Sequence, residues 1–122
     1  MKTSKSILGS LTIAALAFVA GAITAASRGW GQAVAIVNVV NTSDRALATF
    51  AVHFDTCGFR GSVEGGTLAP GASNQVRYLV CGESGQTVRA EFTDGKVVTS
   101  EEAYVESGYR VTENVSRDAI TR

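Results

Sequence analysis

The sequence contains one histidine, one tryptophan, one proline and two cysteines, and it has no cluster of basic residues. Each scarcity excludes something. A serine or cysteine nucleophile needs a base held by a third group, and only His53 is available, with no nucleophile-elbow pattern anywhere in the chain. The serines fall mostly in turn-forming stretches, where hydroxyls serve local backbone hydrogen bonds. Taking Lys2 and Lys5 from the eleven Lys and Arg leaves nine, against eleven Asp and Glu, and these nine are dispersed. Nucleic acid is bound mainly by clustered cations that neutralise phosphates, so a nucleic-acid partner is not expected. The glycines Gly58, Gly65 and Gly82 sit among turn residues and lack the lysine and hydroxyl of a phosphate loop. There is no internal repeat and no low-complexity tract.

What is present begins with a hydrophobic run. Ile7 to Ala26 carries no charge over twenty residues, which as a helix spans about 30 Å, the thickness of a hydrocarbon core. Residues 1–26 therefore read as a signal peptide or an N-terminal transmembrane anchor. Lys2, Lys5 and the small residues Thr24, Ala25 and Ala26 suit cleavage before Ser27. The length of the run, with Arg28 and Trp30 at an interfacial position, suits retention as a single-pass inner-membrane anchor. Ala14, Ala17, Gly21 and Ala25 form a small-residue stripe. Either reading sends the remainder out of the cytoplasm, because the positive charge lies ahead of the run. No cysteine near the cleavage position offers a lipid attachment point.

Residues 27–32 read as a short juxtamembrane linker, and from Ala33 the hydrophobic period becomes two, the mark of half-buried strands. Ala33 to Val40 is apolar on both faces and reads as a central strand. Asn41-Thr42-Ser43-Asp44 is a turn cluster. Ala48, Phe50, Val52 and Phe54 alternate with Thr49, Ala51, His53 and Asp55, and the even positions are expected in the core. Ala69-Pro70-Gly71-Ala72 suits a type II turn, and Asp94-Gly95 suits a two-residue hairpin. Further strands are expected at Ser62–Glu64, Gln75–Cys81, Thr87–Thr93, Lys96–Ser100 and Tyr109–Val115. The fold expected for residues 33–116 is all-β, a small antiparallel immunoglobulin-like β-sandwich preceded by one N-terminal hydrophobic helix. No tryptophan lies between the cysteines, so the likeness is one of strand count and length. Residues 117–122 read as a polar tail free to fray.

The compartment decides the meaning of Cys57 and Cys81. Outside the cytoplasm they should pair, and closing a loop of about 25 residues is worth about 3 kcal/mol. His53, Asp55 and Cys57 alternate along one strand, so with Cys81 opposite they make a conceivable metal set. The cystine is the preferred reading, with no metal and no cofactor. Glu101, Glu102 and Glu106 read as solvated charges in a polar connection. The sequons Asn41-Thr42-Ser43 and Asn114-Val115-Ser116 matter only in a glycosylating cell.

For binding, the residues singled out are Gly58, Phe59, Arg60 and Gly61. They read as a loop held by the cystine, with an aromatic and an arginine of the types enriched in hot spots between flexible glycines. The function expected is a non-enzymatic module of the cell envelope that binds a protein or envelope component. The alternatives are a soluble secreted or periplasmic effector or inhibitor released by cleavage and, less favoured, a small hydrolase or metal-binding protein.

Overall fold

A computed structural model of the chain describes residues 12–23 and 33–122. They fall into two units, Met1–Gln32 and Ala33–Arg122. In the first, residues 12–23 form a helix, α1, whose side chains are exposed. Twelve residues rise about 18 Å, and no helix among the described residues is long and apolar enough to cross a membrane. The expected twenty-residue span extends past α1 at both ends. Its flanks, the cleavage position before Ser27, and Arg28 and Trp30 lie outside the described residues.

The second unit is built of strands in two sheets. They are β1 (Val34–Asn41), β2 (Leu47–Thr56), β3 (Phe59–Gly65), β4 (Ser73–Leu79), β5 (Ser84–Phe92), β6 (Val97–Thr99), β7 (Ala103–Val105), β8 (Arg110–Val115) and β9 (Ile120–Thr121). One sheet has the order β4-β1-β8-β9; the other is β3-β2-β5-β6, with β7 also pairing β5. The valine-rich β1 is central, as its two apolar faces predict. It differs in one respect from the expected all-antiparallel pattern: β1 runs antiparallel to β4 but parallel to β8. After β7 the chain leaves one sheet for the other, so β8 is not joined to β1 by a hairpin and is free to run beside it in the same direction.

Alternating side chains from the two sheets make the core. Val37, Val39 and Ala35 of β1 and Val115 of β8 meet Phe50 and Val52 of β2 and Val88, Ala90 and Phe92 of β5. The expected alternation along β2 holds from Phe50 onward and fails at its start. A register shift between Leu47 and Thr49 turns Leu47 inward, fully buried, and leaves Ala48 exposed. A bulge adds one residue to a strand and exchanges the faces before and after it.

The turns follow local chemistry. Ala72 N donates to Ala69 O (3.0 Å) across Pro70-Gly71, with Gly71 at φ 77°. The Asp94-Gly95 connection differs from expectation. Phe92 N donates to Lys96 O and Gly95 N to Phe92 O, and only Gly95 has positive φ, so this is a three-residue loop ending in a left-handed glycine. Asn41 is wholly buried, its Nδ2 donating to Arg45 O (2.8 Å) and Leu68 O (3.0 Å) while Oδ1 accepts from Ser43 N. The amide a glycan would occupy is thus consumed within the fold. Replacing Asn41 with alanine removes both of these amide hydrogen bonds and the acceptor of Ser43 N, and is expected to cost about 2 kcal/mol in chemical denaturation.

Residues 117–122, expected as a polar tail, pack against the sandwich. Arg117 grips both carboxylate oxygens of Asp94 (3.1 and 2.6 Å) and lies 4.5 Å over the Phe92 ring. Lys96 bonds Asp118, Ile120 is buried, and β9 pairs with the end of β8. The Arg117 hydrogen bonds hold Asp94 down at about 2. The sandwich therefore includes the segment expected as a tail.

Candidate functional site

At one end of the β3-β2-β5 sheet, β2 turns into β3 through Cys57 and Gly58 alone. Thr56 pairs with Phe59, and both intervening residues have positive φ, 55° and 74°. Those are the requirements of the tight turn that matches strand twist, and glycine meets them without steric cost. The turn places Cys57 against Cys81, just past the end of β4, with Cα atoms 4.9 Å apart in a disulfide that ties one sheet to the other. Thr56, 2% exposed, supports it: its Oγ1 accepts from Cys81 N (2.9 Å) and lies 3.7 Å from Cys57 Sγ.

Because the turn is so short, Phe59, Arg60 and Gly61 are strand residues of β3 and not the loop expected from sequence. Only Gly58 of the four singled out is in the turn. The two-residue closure carries the ladder on through Asp55↔Arg60 and Phe54↔Gly61. Phe59 is partly exposed and partly packed. It is 51% exposed, yet its ring meets Phe54 edge-on at 6.3 Å, and Phe54 stacks on Tyr78 of the opposite sheet at 4.3 Å. Gly61 makes room for that stack, since a Cβ there would stand 2.7 Å from the Phe54 ring. Arg60 points outward, its side chain 90% exposed and its Nε 3.2 Å from Asp55 Oδ2.

Beside Arg60 the outer face of this sheet is concave. His53, Asp55, Arg60, Thr87 and Glu102 rim an open groove of about 260 Å³. A second groove of about 460 Å³ shares Asp55, Gly85 and Glu102 with the first and continues to Glu83 and Tyr104. The register explains the assembly: His53 lies between Ser62 and Thr87, and Asp55 between Arg60 and Gly85. The Glu102 carboxylate occupies the space that a side chain at position 85 would need. Tyr104 is half-exposed and donates to Glu106 Oε1 (2.7 Å), and this bond pushes its hydroxyl up to about 12. Glu102 and Glu106 are exposed, as expected of solvated charges, and Glu102 also lines both grooves.

The set His53, Asp55, Cys57 and Cys81 does not come together as metal ligands, because each sulfur is committed to the other. Among the described residues no group of three or more His, Cys, Asp or Glu is placed to hold a metal ion.

One group escaped the sequence reading. Glu113 of β8 points into the core, fully buried, accepting from Arg122 Nε (2.9 Å) and Gln86 Nε2 (3.4 Å) through one oxygen while its other oxygen has no partner. Gln86 in turn accepts from the Tyr78 hydroxyl (2.8 Å), and Arg122 also donates to Glu101 O (2.8 Å). Burial pushes the Glu113 carboxyl up, with Arg122 and Gln86 opposing. The signal was in the alternation Val111, Glu113, Val115, which puts a carboxylate at a core position.

No family model matches this chain, and no curated protein matches it. Among solved structures it is similar to a protein from Eubacterium rectale determined by NMR, with a TM-score of 0.57 and 14% identity over 75% of this chain and 89% of that one. At that identity the likeness shows the fold alone: a two-sheet, sandwich-like β domain. The cystine fits an oxidising compartment outside the cytoplasm.

Proposed function

We propose that this chain is a non-enzymatic, immunoglobulin-like binding module that works outside the cytoplasm, where it recognises a protein or another envelope component. The observation that carries the reading is the pair of contiguous open grooves on the outer face of β2, β3 and β5. This face is concave and mixed in charge, with the exposed Arg60 beside the first groove and the half-exposed Tyr104 lining the second. Aromatic and arginine anchors around a recess are what a recognition surface needs. A photo-crosslinking side chain at position 60 or 87 should capture one discrete partner in producing cells. The same probe at Thr112, on the outer face of the other sheet, should not. Equal labelling from both faces would refute the assignment.

The second reading, a soluble effector released by cleavage, rests on the small residues Thr24, Ala25 and Ala26 ahead of Ser27. Amino-terminal sequencing of the protein as isolated separates the two. A start at Ser27 establishes release, and a retained Met1 establishes tethering.

A further inference from the structure

We propose that the Cys57–Cys81 cystine is a site of thiol–disulfide exchange, opened by an external protein dithiol of the Cys-x-x-Cys class, with Cys81 the sulfur attacked and Cys57 the leaving group. Three observations carry this. Both cysteines are exposed, at the rim of the sandwich and outside the core cluster, so an incoming thiolate can reach the bond without opening the fold. Cys57 is the one non-glycine among the described residues with positive φ, a conformation unfavourable for a side chain with a Cβ and held by the turn and the cystine together. Thr56 makes the two sulfurs unequal. Its buried hydroxyl accepts the Cys81 amide proton and lies 3.7 Å from Cys57 Sγ. A cystine sulfur has no hydrogen to give, so in this contact the threonine is the donor and Cys57 Sγ the acceptor. A hydrogen bond to a sulfur that becomes a thiolate favours the charged form, and the thiol of lower pKa leaves faster.

The step balances as follows. The external thiolate bonds to Cys81 Sγ as the Cys57–Cys81 bond breaks, and the electron pair departs on Cys57 Sγ toward the Thr56 hydroxyl. The second thiolate of the external protein then attacks its own sulfur in the mixed disulfide and expels Cys81 as a thiolate. Two electrons have passed to this chain, two protons follow from solvent, and the external dithiol is now a disulfide. The tip of the β2–β3 hairpin is thereby released from the end of β4.

The test uses the oxidised full-length protein and a Cys-x-x-Cys reductant whose resolving cysteine is serine, which traps the mixed disulfide for peptide mapping. The adduct is expected predominantly on Cys81, formed while the circular dichroism of the folded domain persists. Thr56→Val should slow adduct formation several-fold, and Thr56→Ser, which keeps the hydroxyl, should restore it. An adduct chiefly on Cys57, equal adducts on both, or a cystine that reacts only in denaturant would overturn the proposal. So would a Thr56→Val protein that is folded and reacts at the original rate.

Discussion

Replacing Arg122 with alanine is expected to lower the stability of the domain by about 3 kcal/mol at neutral pH, with a smaller loss in acid. Arg122 holds Glu113 from the one side still in touch with solvent; its own side chain is 32% exposed while that of Glu113 is not exposed at all. Without it the carboxylate is left in the core with a single glutamine donor at 3.4 Å, and an uncompensated buried charge is among the costliest defects a point mutation can create. The sign of the pH dependence follows from the raised carboxyl. A group whose folded pKa exceeds its unfolded one, about 4.3 for Glu, contributes fully below the unfolded value and loses that contribution as pH rises through the folded one. Protonation removes the charge that Arg122 exists to neutralise, so the Arg122→Ala defect should narrow toward pH 4. Glu113→Gln keeps the shape and removes the charge; it should leave stability at pH 7 unchanged or raised. Urea titrations of the three proteins at two pH values check all of this. Asp94 and Asp118 run the opposite way: their lowered pKa values add stability above the unfolded values, and it is lost as pH falls through the folded ones. That opposing trend is common to all three proteins and cancels in the differences.

The cystine is the second large term. Replacing both cysteines with serine is expected to cost about 3 kcal/mol, equivalent to a fall in melting temperature of about 15 °C for a domain of this size. The bond closes a segment that includes all of β3 and β4, and it joins the two sheets at an end where Phe59 is only half covered. Calorimetry of the paired-serine variant against the oxidised protein measures the loss directly. The single-serine variants expose one free thiol each and should be compared only under reducing conditions.

How far the sequence could be read depended on the range of the interaction involved. Period-two alternation found most of β2, β4 and β5, because each buries one face and the pattern records it, while β1 was found as a valine-rich run apolar on both faces. Pro70-Gly71 was legible because its turn depends on two residues alone. The β2–β3 turn was not, although Cys57-Gly58 is as short. Cysteine is an unusual residue at positive φ, and the geometry is enforced by ladder partners on either side that composition does not reveal. That single misjudgement moved Phe59, Arg60 and Gly61 from a loop to an edge strand, and with them the site. The bulge at Leu47, the parallel pairing of β1 with β8, and the anchoring of residues 117–122 by Asp94, Phe92 and Glu113 are long-range facts that no local pattern encodes. The outer-face groove is of the same kind. His53 and Asp55 were rightly placed on one face, but the groove arises only when β3, β5 and the segment carrying Glu102 are set beside them.

Compartment underlies both the cystine and the binding role, and the thiol state in living cells tests it most directly. Cells producing the chain are quenched in acid and treated with a membrane-permeant alkylating agent under denaturing conditions, and the mass of the protein is read before and after reduction. The account predicts that most of the protein gains label at Cys57 and Cys81 only after a reductant is added. Full labelling of both cysteines in unreduced, intact-length protein would contradict it.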